Sequence, residues 1–179
     1  MRLRKAAVTL GGSLLPTLAV AAPDMQAAAF MDIYASHCIK YLHDFDGLRK
    51  QLGAAPQLSA DKAAMFLKGS SGKAWMVPSP HGQFILVINT EKKLCALYAK
   101  TVPAAAAQEL FEKVVGNAPA PFRSEKKRAS SATANGSVNS TVAYEWIKDD
   151  SQAKPLFSLT VTTSTTSVAQ GVAIAAIGH

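Results

Sequence analysis

Two cysteines, Cys38 and Cys95, constrain the fold of this sequence more than any other feature. They are the only cysteines among its 179 residues. In an exported protein an even number of cysteines most simply pairs, and two cysteines allow a single connectivity. The bond would close a loop of 58 residues (95 minus 38, plus one), which stabilises a fold by about 4 kcal/mol in chain-entropy reasoning. We therefore expect one disulfide to be a main support of the structure.

The N-terminus has the three-part organisation of a secretory signal peptide. Three cations lie within the first five residues, and an apolar stretch with small residues leads to Pro23. That stretch contains two glycines and a proline, and it is short for a spanning helix, which needs roughly 20 residues. The alternative is an uncleaved N-terminal anchor. The sequence favours a signal peptide over residues 1–21, cleavage near Ala21 or Ala22, and a periplasmic or secreted protein.

The mature chain is only mildly basic. The formal net charge is +7, and removal of the three N-terminal cations leaves +4 (7 minus 3), which is too little to indicate nucleic-acid binding. Residues 22–179 are enough for one domain with a substantial core. We expect a single α+β domain there, with no nucleic-acid partner and no membrane segment after processing.

The first half of the mature chain changes from helical to strand patterns. Apolar residues recur at three- and four-residue spacing over residues 25–42, and two shorter helical patterns follow before Gly69. Beyond Gly72, three short segments rich in aromatic and β-branched residues predict antiparallel strands. In the third, Cys95, Leu97 and Ala99 alternate onto one face. If Cys38 reaches Cys95, the first helix must pack on that face of the sheet.

The second half has one predicted helix and several strands. Proline at position 103 favours a helix start, near Ala104 to Val115. The Asn135-Gly136 pair predicts a type I′ turn at the tip of a polar hairpin, and another strand follows. Residues 171–178 are either a last strand or a fraying tail. We expect an antiparallel sheet of five to six strands, packed on one side by the N-terminal helices and the mid-chain helix.

The stretch YASHCIKYLHD (residues 34–44) suggests nucleophilic catalysis or metal binding at first sight. Adjacent helical residues point in different directions, so His37 is badly placed to activate Cys38. Metal-binding spacings such as His-x3-His are absent from the sequence. We expect Cys38 to be half of a disulfide and His37, His43 and Asp44 to be solvated. The sequence predicts no catalytic residue, no metal site and no cofactor.

Two regions are candidate contact surfaces. The cations Arg123, Lys126, Lys127 and Arg128 form either a solvated edge strand or a docking surface for an acidic partner protein or anionic lipid. Strict alternation would put Lys126 and Arg128 together on one face. The second region is the first hairpin, with Trp75 and His81.

Trp75 has two interpretations, a core anchor at a strand start and a ligand platform. The nearby segment FLKGSSGKAW lacks the G-x4-G-K-[ST] order of a phosphate-binding loop and follows a helix instead of a strand. We interpret this segment as a turn.

Several of these features together resemble small exported proteins of unknown function from Gram-negative bacteria. The resemblance covers residues 30–100 and combines an early helix with Phe30 and Cys38, a G-x-A-W strand ending at Trp75, and Cys95 on a later strand. It implies a periplasmic, two-cysteine α+β domain. It implies no active site.

The sequence therefore favours a non-enzymatic periplasmic protein that binds another protein of the cell envelope, as an inhibitor or immunity-type partner. One alternative is an envelope hydrolase whose site assembles from distant residues such as Ser79, His81 and Glu145. Another is a structural accessory of a secretion or conjugation machine. The oligomeric state is left open.

Overall fold

The computed structural model describes residues 24–149 and 151–178, so the predicted signal peptide and its cleavage near Ala21 or Ala22 lie outside the described residues. The described chain is an α+β fold of four α-helices and one seven-stranded antiparallel sheet. None of its helices is long and apolar enough to cross a bilayer. The helices are α1 (Met25–Ile33), which continues as a π-helix (Tyr34–Ile39), α2 (Phe45–Gln51), α3 (Ala60–Leu67) and α4 (Ala104–Val115). The strands are β1 (Gly72–Val77), β2 (Phe84–Asn89), β3 (Leu94–Ala99), β4 (Arg123–Ala134), β5 (Ser137–Ile147), β6 (Lys154–Thr162) and β7 (Gly171–Gly178).

The C-terminal strand lies near the middle of the sheet, whose order is β1-β2-β3-β7-β6-β5-β4. Ala175 of β7 is opposite Cys95 of β3 on one side and Phe157 of β6 on the other. Residues 171–178 are therefore a strand and not a fraying tail, and the sheet has seven strands where five to six were expected. Because β7 has a neighbour on each side, it joins the β1–β3 meander to the β4–β6 meander.

The start of β7 has no room for a side chain. A Cβ added to Gly171 would lie 2.6 Å from Cγ1 of Val102 and 3.5 Å from the ring of Phe30. The first distance is shorter than real carbon contacts allow. Glycine at this position lets β7 enter the sheet directly beneath α1.

The N-terminal helix packs on the predicted face of the sheet. Asp24 caps α1, because its Oδ1 accepts hydrogen bonds from the backbone N–H groups of Gln26 (3.0 Å) and Ala27 (2.9 Å). Cys95, Leu97 and Ala99 share one core cluster with the buried side of α1, the π-helix and α4. This arrangement confirms the shared face of β3.

The helix α3 lies on the opposite face of the sheet. Ala63, Phe66 and Leu67 pack there against Val87 and Ala96, in a second core cluster. The expectation that all helices lie on one side is therefore corrected. Strand β2 is covered on both faces, as its continuous apolar sequence predicts.

The predicted disulfide is present. Cys38 and Cys95 are bonded, with their Cα atoms 5.3 Å apart, and both are fully buried. In the same π-helix, the hydroxyl of Tyr34 donates to the carbonyl oxygen of Ile174 at 2.7 Å. Burial raises the pKa of Tyr34 well above its usual value, so the phenol stays neutral and remains a donor. One helical segment thus holds both β3 and β7.

The predicted hairpin of β4 and β5 is confirmed, and it packs against the end of α4. Asn135 and Gly136 both have positive φ, at 50° and 73°, as a type I′ turn requires. The carbonyl oxygen of Val115 near the C-terminus of α4 accepts hydrogen bonds from Trp146 Nε1 (2.7 Å) and Ser124 Oγ (2.8 Å). These bonds satisfy a carbonyl group that a helix end leaves unpaired.

Replacing both cysteines, Cys38→Ala with Cys95→Ala, should lower the free energy of unfolding by about 2–4 kcal/mol. The bond restricts the unfolded chain over a long loop, and removal of both residues avoids leaving one reactive thiol. Urea unfolding followed by tryptophan fluorescence measures the change.

Unfolding of the wild-type protein in reductant is the control, because it breaks the bond and keeps both sulfur atoms. If reduced and oxidised wild-type protein unfold at the same urea concentration, the disulfide does not support the fold.

Candidate functional site

The residues that suggested catalysis around Cys38 do not form a reactive pair. The Cys38 sulfur is bonded to Cys95, and His37 Nδ1 lies 3.0 Å from the carbonyl oxygen of Ile33 and 2.9 Å from Ser36 Oγ. Half-burial is the main cause that lowers the pKa of His37. The segment therefore contains a structural disulfide beside a neutral, locally bonded imidazole.

The other candidate ligands of this segment are also not assembled into a site. Asp44 caps α2, where its Oδ1 accepts a hydrogen bond from the backbone N–H of Gly47 at 2.8 Å, and His43 is exposed. Across residues 24–149 and 151–178, no group of three His, Cys, Asp or Glu side chains is close enough to hold a metal ion.

The three residues considered for a hydrolase are not brought together. His81 is exposed in the loop between β1 and β2, and its backbone N–H donates to Ser79 Oγ at 3.2 Å. Glu145 belongs to β5, four strands away from β2, which corresponds to about 19 Å at the usual strand spacing. Its Oε2 lies 3.6 Å from Lys127 Nζ. The Glu145 carboxylate therefore cannot orient His81 in this fold.

The two predicted contact regions lie at opposite edges of the sheet. Trp75 and His81 belong to the edge formed by β1, and the four cations belong to β4 at the other edge. Six strand spacings separate these edges, or about 29 Å. They are two separate surfaces.

Trp75 is part of the core at the first of these edges. It is 4% exposed and belongs to the cluster beneath α2. Trp75 also lines a cavity of about 330 Å³, together with Arg49 and Lys73. A side chain so little exposed offers hardly any contact surface of its own, which fits the core-anchor interpretation.

The cations of β4 are engaged by carboxylates of the same region. Lys126 Nζ lies 2.9 Å from Glu112 Oε2 of α4, and Lys127 Nζ lies 3.0 Å from Glu125 Oε1. Arg123 also lies near Glu125, at 3.9 Å. The basic sequence is therefore largely neutralised within the folded protein.

A β-bulge changes the expected alternation of this strand. The register shifts between Lys126 and Arg128, so Lys126 is opposite Tyr144 and Arg128 is opposite Ala143. Because neighbouring residues of β5 point to opposite faces, Lys126 and Arg128 do not share a face. Of these two cations, only Lys126 faces α4, and its Nζ lies 5.3 Å from the ring centroid of Tyr144.

The contact between Lys126 and Glu112 ties the hairpin to α4. The hydrogen bond from Lys126 is the largest cause that lowers the pKa of Glu112, and a bond from Gln108 adds to it. The same contact with Glu112 is the largest cause that raises the pKa of Lys126. Both shifts favour the charged pair, so this part of the basic cluster has a structural role.

A different surface has the features of a binding site. An apolar groove of about 240 Å³ lies on the face of the sheet that α3 covers. We call it the methionine groove. Its lining residues are Met65 and Phe66 of α3, Met76 of β1, Gln83 before β2, Ile85 of β2, Tyr98 of β3, and Lys100, Val168 and Ala169 from the loops.

The methionine groove combines a packed floor with exposed walls. Phe66 and Tyr98 form an edge-on aromatic pair with ring centroids 5.0 Å apart, and burial raises the pKa of Tyr98. Met65, Met76 and Val168 are 56%, 47% and 57% exposed. They account for three of the six large hydrophobic side chains that are exposed among the described residues.

Hydrogen bonds hold the loop that carries Val168. Lys100 Nζ donates to the carbonyl oxygen of Ser167 at 3.1 Å. The backbone N–H of Gln170 donates to the carbonyl oxygen of Ala99 at 3.0 Å. The exposed side of the groove is therefore preformed.

Sequence patterns contained part of the signal for this groove. Met65 lies off the buried stripe of α3, and Met76 follows the buried Trp75 on an alternating strand, so the sequence carried a signal that was not used for placing both methionines outside the main core. The missing information was tertiary, because α3, β1 and the loop before β7 meet only in the folded sheet.

Comparisons of this chain with known protein families, with curated proteins and with solved structures give no match. The resemblance to small exported proteins of Gram-negative bacteria therefore stays a prediction.

Replacing Glu112 with Gln should make stability less dependent on pH. The Glu112 carboxylate has a lowered pKa, so its contribution is present above its usual value of 4.5 and is lost as the pH falls through its folded value. Lys126 has a raised pKa, so its contribution is present below 10.5 and is lost as the pH rises through its folded value.

The measurement is thermal unfolding of the wild-type and variant proteins across the pH range. The wild-type protein should be the more stable one between these limits, and the difference should shrink beyond each of them. Glu109→Gln, which removes the same charge from an exposed position on α4, should show a smaller difference. Equal pH profiles for all three proteins would contradict the structural role of the pair.

Proposed function

We propose that this protein is a non-enzymatic, extracytoplasmic binding module that contacts another protein of the cell envelope. It would act as an inhibitor or immunity-type partner. The observation that carries the proposal is the methionine groove, which gathers half of the exposed large hydrophobic side chains of the described chain. Such concentrations of exposed apolar surface are typical of interaction sites.

The character of the groove favours a protein as its occupant. Methionine side chains are flexible and polarizable, so they adapt to apolar side chains of different shapes. The Phe66–Tyr98 pair provides a rigid aromatic floor beneath them. A ligand that inserts one or two apolar side chains would gain hydrophobic contact without reorganising the sheet.

Two observations support a location outside the cytoplasm. The buried Cys38–Cys95 disulfide is the kind of bond that persists in oxidising compartments. The sequence pattern of residues 1–21 is that of a signal peptide, which would direct export. Together with the resemblance noted above, they support the proposal of a periplasmic location.

The placement of the acidic and basic side chains also supports a binding role. Glu112, Glu125 and Glu145 contact lysines of β4, and Ser79 and His81 lie far from Glu145 along the sheet. General acid–base catalysis needs such groups in mutual reach.

Met65→Glu should weaken partner binding at least tenfold, because it places a charge at the exposed rim of an apolar contact. Met25→Glu is the matched control. Met25 is 57% exposed and Met65 56%, and both are helical. Met25 does not line the groove, and its helix α1 packs on the other face of the sheet.

The partner is found with a photocrosslinking residue at Met76, expressed at native level in the periplasm. A discrete adduct with one envelope protein is expected, which the added Met65→Glu change removes and Met25→Glu leaves intact. Binding of the purified partner is then compared between the two variants. Only crosslink-free monomer, or equal loss with both variants, would refute the proposal.

A further inference from the structure

We infer that the outer edge of β4 accepts an extended, acidic segment of a partner protein as an eighth strand. This inference rests on the proposed binding function but uses a different surface from the methionine groove. The acceptor region is the distal half of β4, residues 129–134, which we call the open edge. Strand addition of this kind gains affinity mainly from main-chain hydrogen bonds.

The hairpin register determines which main-chain groups of β4 face outward. In a two-residue type I′ hairpin, the closing residues Ala134 and Ser137 bond to each other. The next residue of β5, Val138, then points to β6. Its N–H bonds to Thr163 Oγ1 at 2.8 Å, and its carbonyl oxygen accepts from the Thr163 N–H at 3.0 Å.

Alternation places three residues of β4 with their main-chain groups directed away from the sheet. Thr133 is opposite Val138, so its N–H and C=O face outward, and the same holds for Ser131 and Ala129. All three residues are exposed. They present three donors and three acceptors in a regular row.

The other edge of the sheet is covered by the chain itself. The backbone N–H of Met76 donates to the carbonyl oxygen of Pro56 at 2.9 Å, and the N–H of Leu58 donates to the carbonyl oxygen of Ala74 at 2.8 Å. Proteins usually cover or blunt their edge strands. In the described residues, the chain covers the β1 edge in this way and leaves the open edge of β4 uncovered.

The two halves of β4 differ in how they resist strand addition. The first half carries charged side chains and the bulge between Lys126 and Arg128, both of which oppose pairing. Residues 129–134 have the sequence ASSATA, with no charge, proline or glycine, and pair with β5 without a break in register. Their small side chains leave space for larger ones on an added strand.

Charge favours an acidic occupant. Arg128 stands at the start of the open edge, and its Nε contacts Ser130 Oγ at 3.3 Å. Among the described residues it forms no ion pair, unlike Arg123, Lys126 and Lys127. A carboxylate on the added strand would form an ion pair with the Arg128 guanidinium.

A shallow cavity beside the open edge gives room for a partner side chain. It measures about 280 Å³ and is lined by polar and small residues, among them Gln108, Ser131 and Thr141. A second copy of this chain would bring the same basic hairpin to this place. The net positive charge of the chain opposes that contact, so a partner of opposite charge fits better.

Ser131→Pro tests the inference with the full mature protein. Proline removes the outward N–H of Ser131 and leaves the main-chain bonds between β4 and β5 in place, since prolines are tolerated on the free side of edge strands. It also removes the side-chain bond that Ser131 Oγ accepts from Ser140 Oγ of β5, a loss that Ser131→Ala shares. Ser131→Ala is the control, because it changes the side chain and keeps the N–H. The probe is a synthetic peptide of alternating valine and threonine with glutamates at its ends, and the same peptide with lysines is its counterpart.

Binding is followed by amide hydrogen exchange and by peptide titration. The acidic peptide should protect the amides of Ala129, Ser131 and Thr133 at least tenfold and should bind Ser131→Ala as it binds wild type. Ser131→Pro and the lysine peptide should bind at least tenfold more weakly. Crosslinking at Met76 tests the groove independently, so a failure here is distinguishable from a failure of the proposed function.

Three results would overturn the inference. The first is that neither peptide protects the three amides from exchange. The second is that the acidic peptide binds Ser131→Pro and Ser131→Ala equally well. The third is protection that grows with protein concentration in the absence of peptide, which would assign the open edge to a second copy of the chain.

The folding of Ser131→Pro is checked by circular dichroism, and its spectrum must match that of wild type. If it does not, Arg128→Gln gives a second test. That variant should weaken the acidic peptide and leave the lysine peptide unchanged.

Discussion

The pairing of β7 with β3 and β6 is the interaction on which the rest of this structure depends. The chain forms two meanders, β1–β3 and β4–β6, and β7 connects them within one sheet. The helical segment of α1 and the π-helix secures the β3–β7 side of this junction. Cys38 binds β3 covalently, and the Tyr34 hydroxyl donates to a carbonyl group of β7. A break in β7 would therefore separate the two halves of the sheet.

This junction also fixes the two proposed binding surfaces relative to each other. The methionine groove belongs mainly to the first meander, with its outer wall on the loop that leads into β7. The open edge belongs to the second meander, about 29 Å across the sheet from β1 by strand counting. One continuous sheet connects the two proposed surfaces, so a partner that bound both would not have to order the sheet on binding.

Local sequence patterns predicted most of the elements, and the number of cysteines in a chain expected to be exported predicted the disulfide. Neither predicted how distant elements meet. The hairpin at Asn135-Gly136 could be predicted because the turn chemistry is local. The central position of β7 could not, because its small residues at alternate positions, Gly171, Ala173 and Ala175, suit a buried strand and also a frayed tail. The face of the sheet on which α3 packs could not be predicted either. An amphipathic helix needs an apolar surface to pack on, but its sequence does not specify which face of the sheet provides that surface. The β-bulge at Lys127 adds one residue to β4, which moves Arg128 to the other face of the sheet. The ion pair between Lys126 and Glu112 joins residues 14 positions apart in the sequence, so no local pattern indicates it.

Native-state hydrogen exchange at low denaturant concentrations tests the central role of β7 most directly. Amides in the middle of each meander, such as those of Leu86 and Leu97 in the first and Leu159 in the second, report separately on the two halves. If β7 joins the halves into one cooperative unit, these amides and those of β7 should converge on a single free energy of opening. Opening of β4–β6 at a clearly lower free energy, with β1–β3 and β7 still protected, would contradict this account.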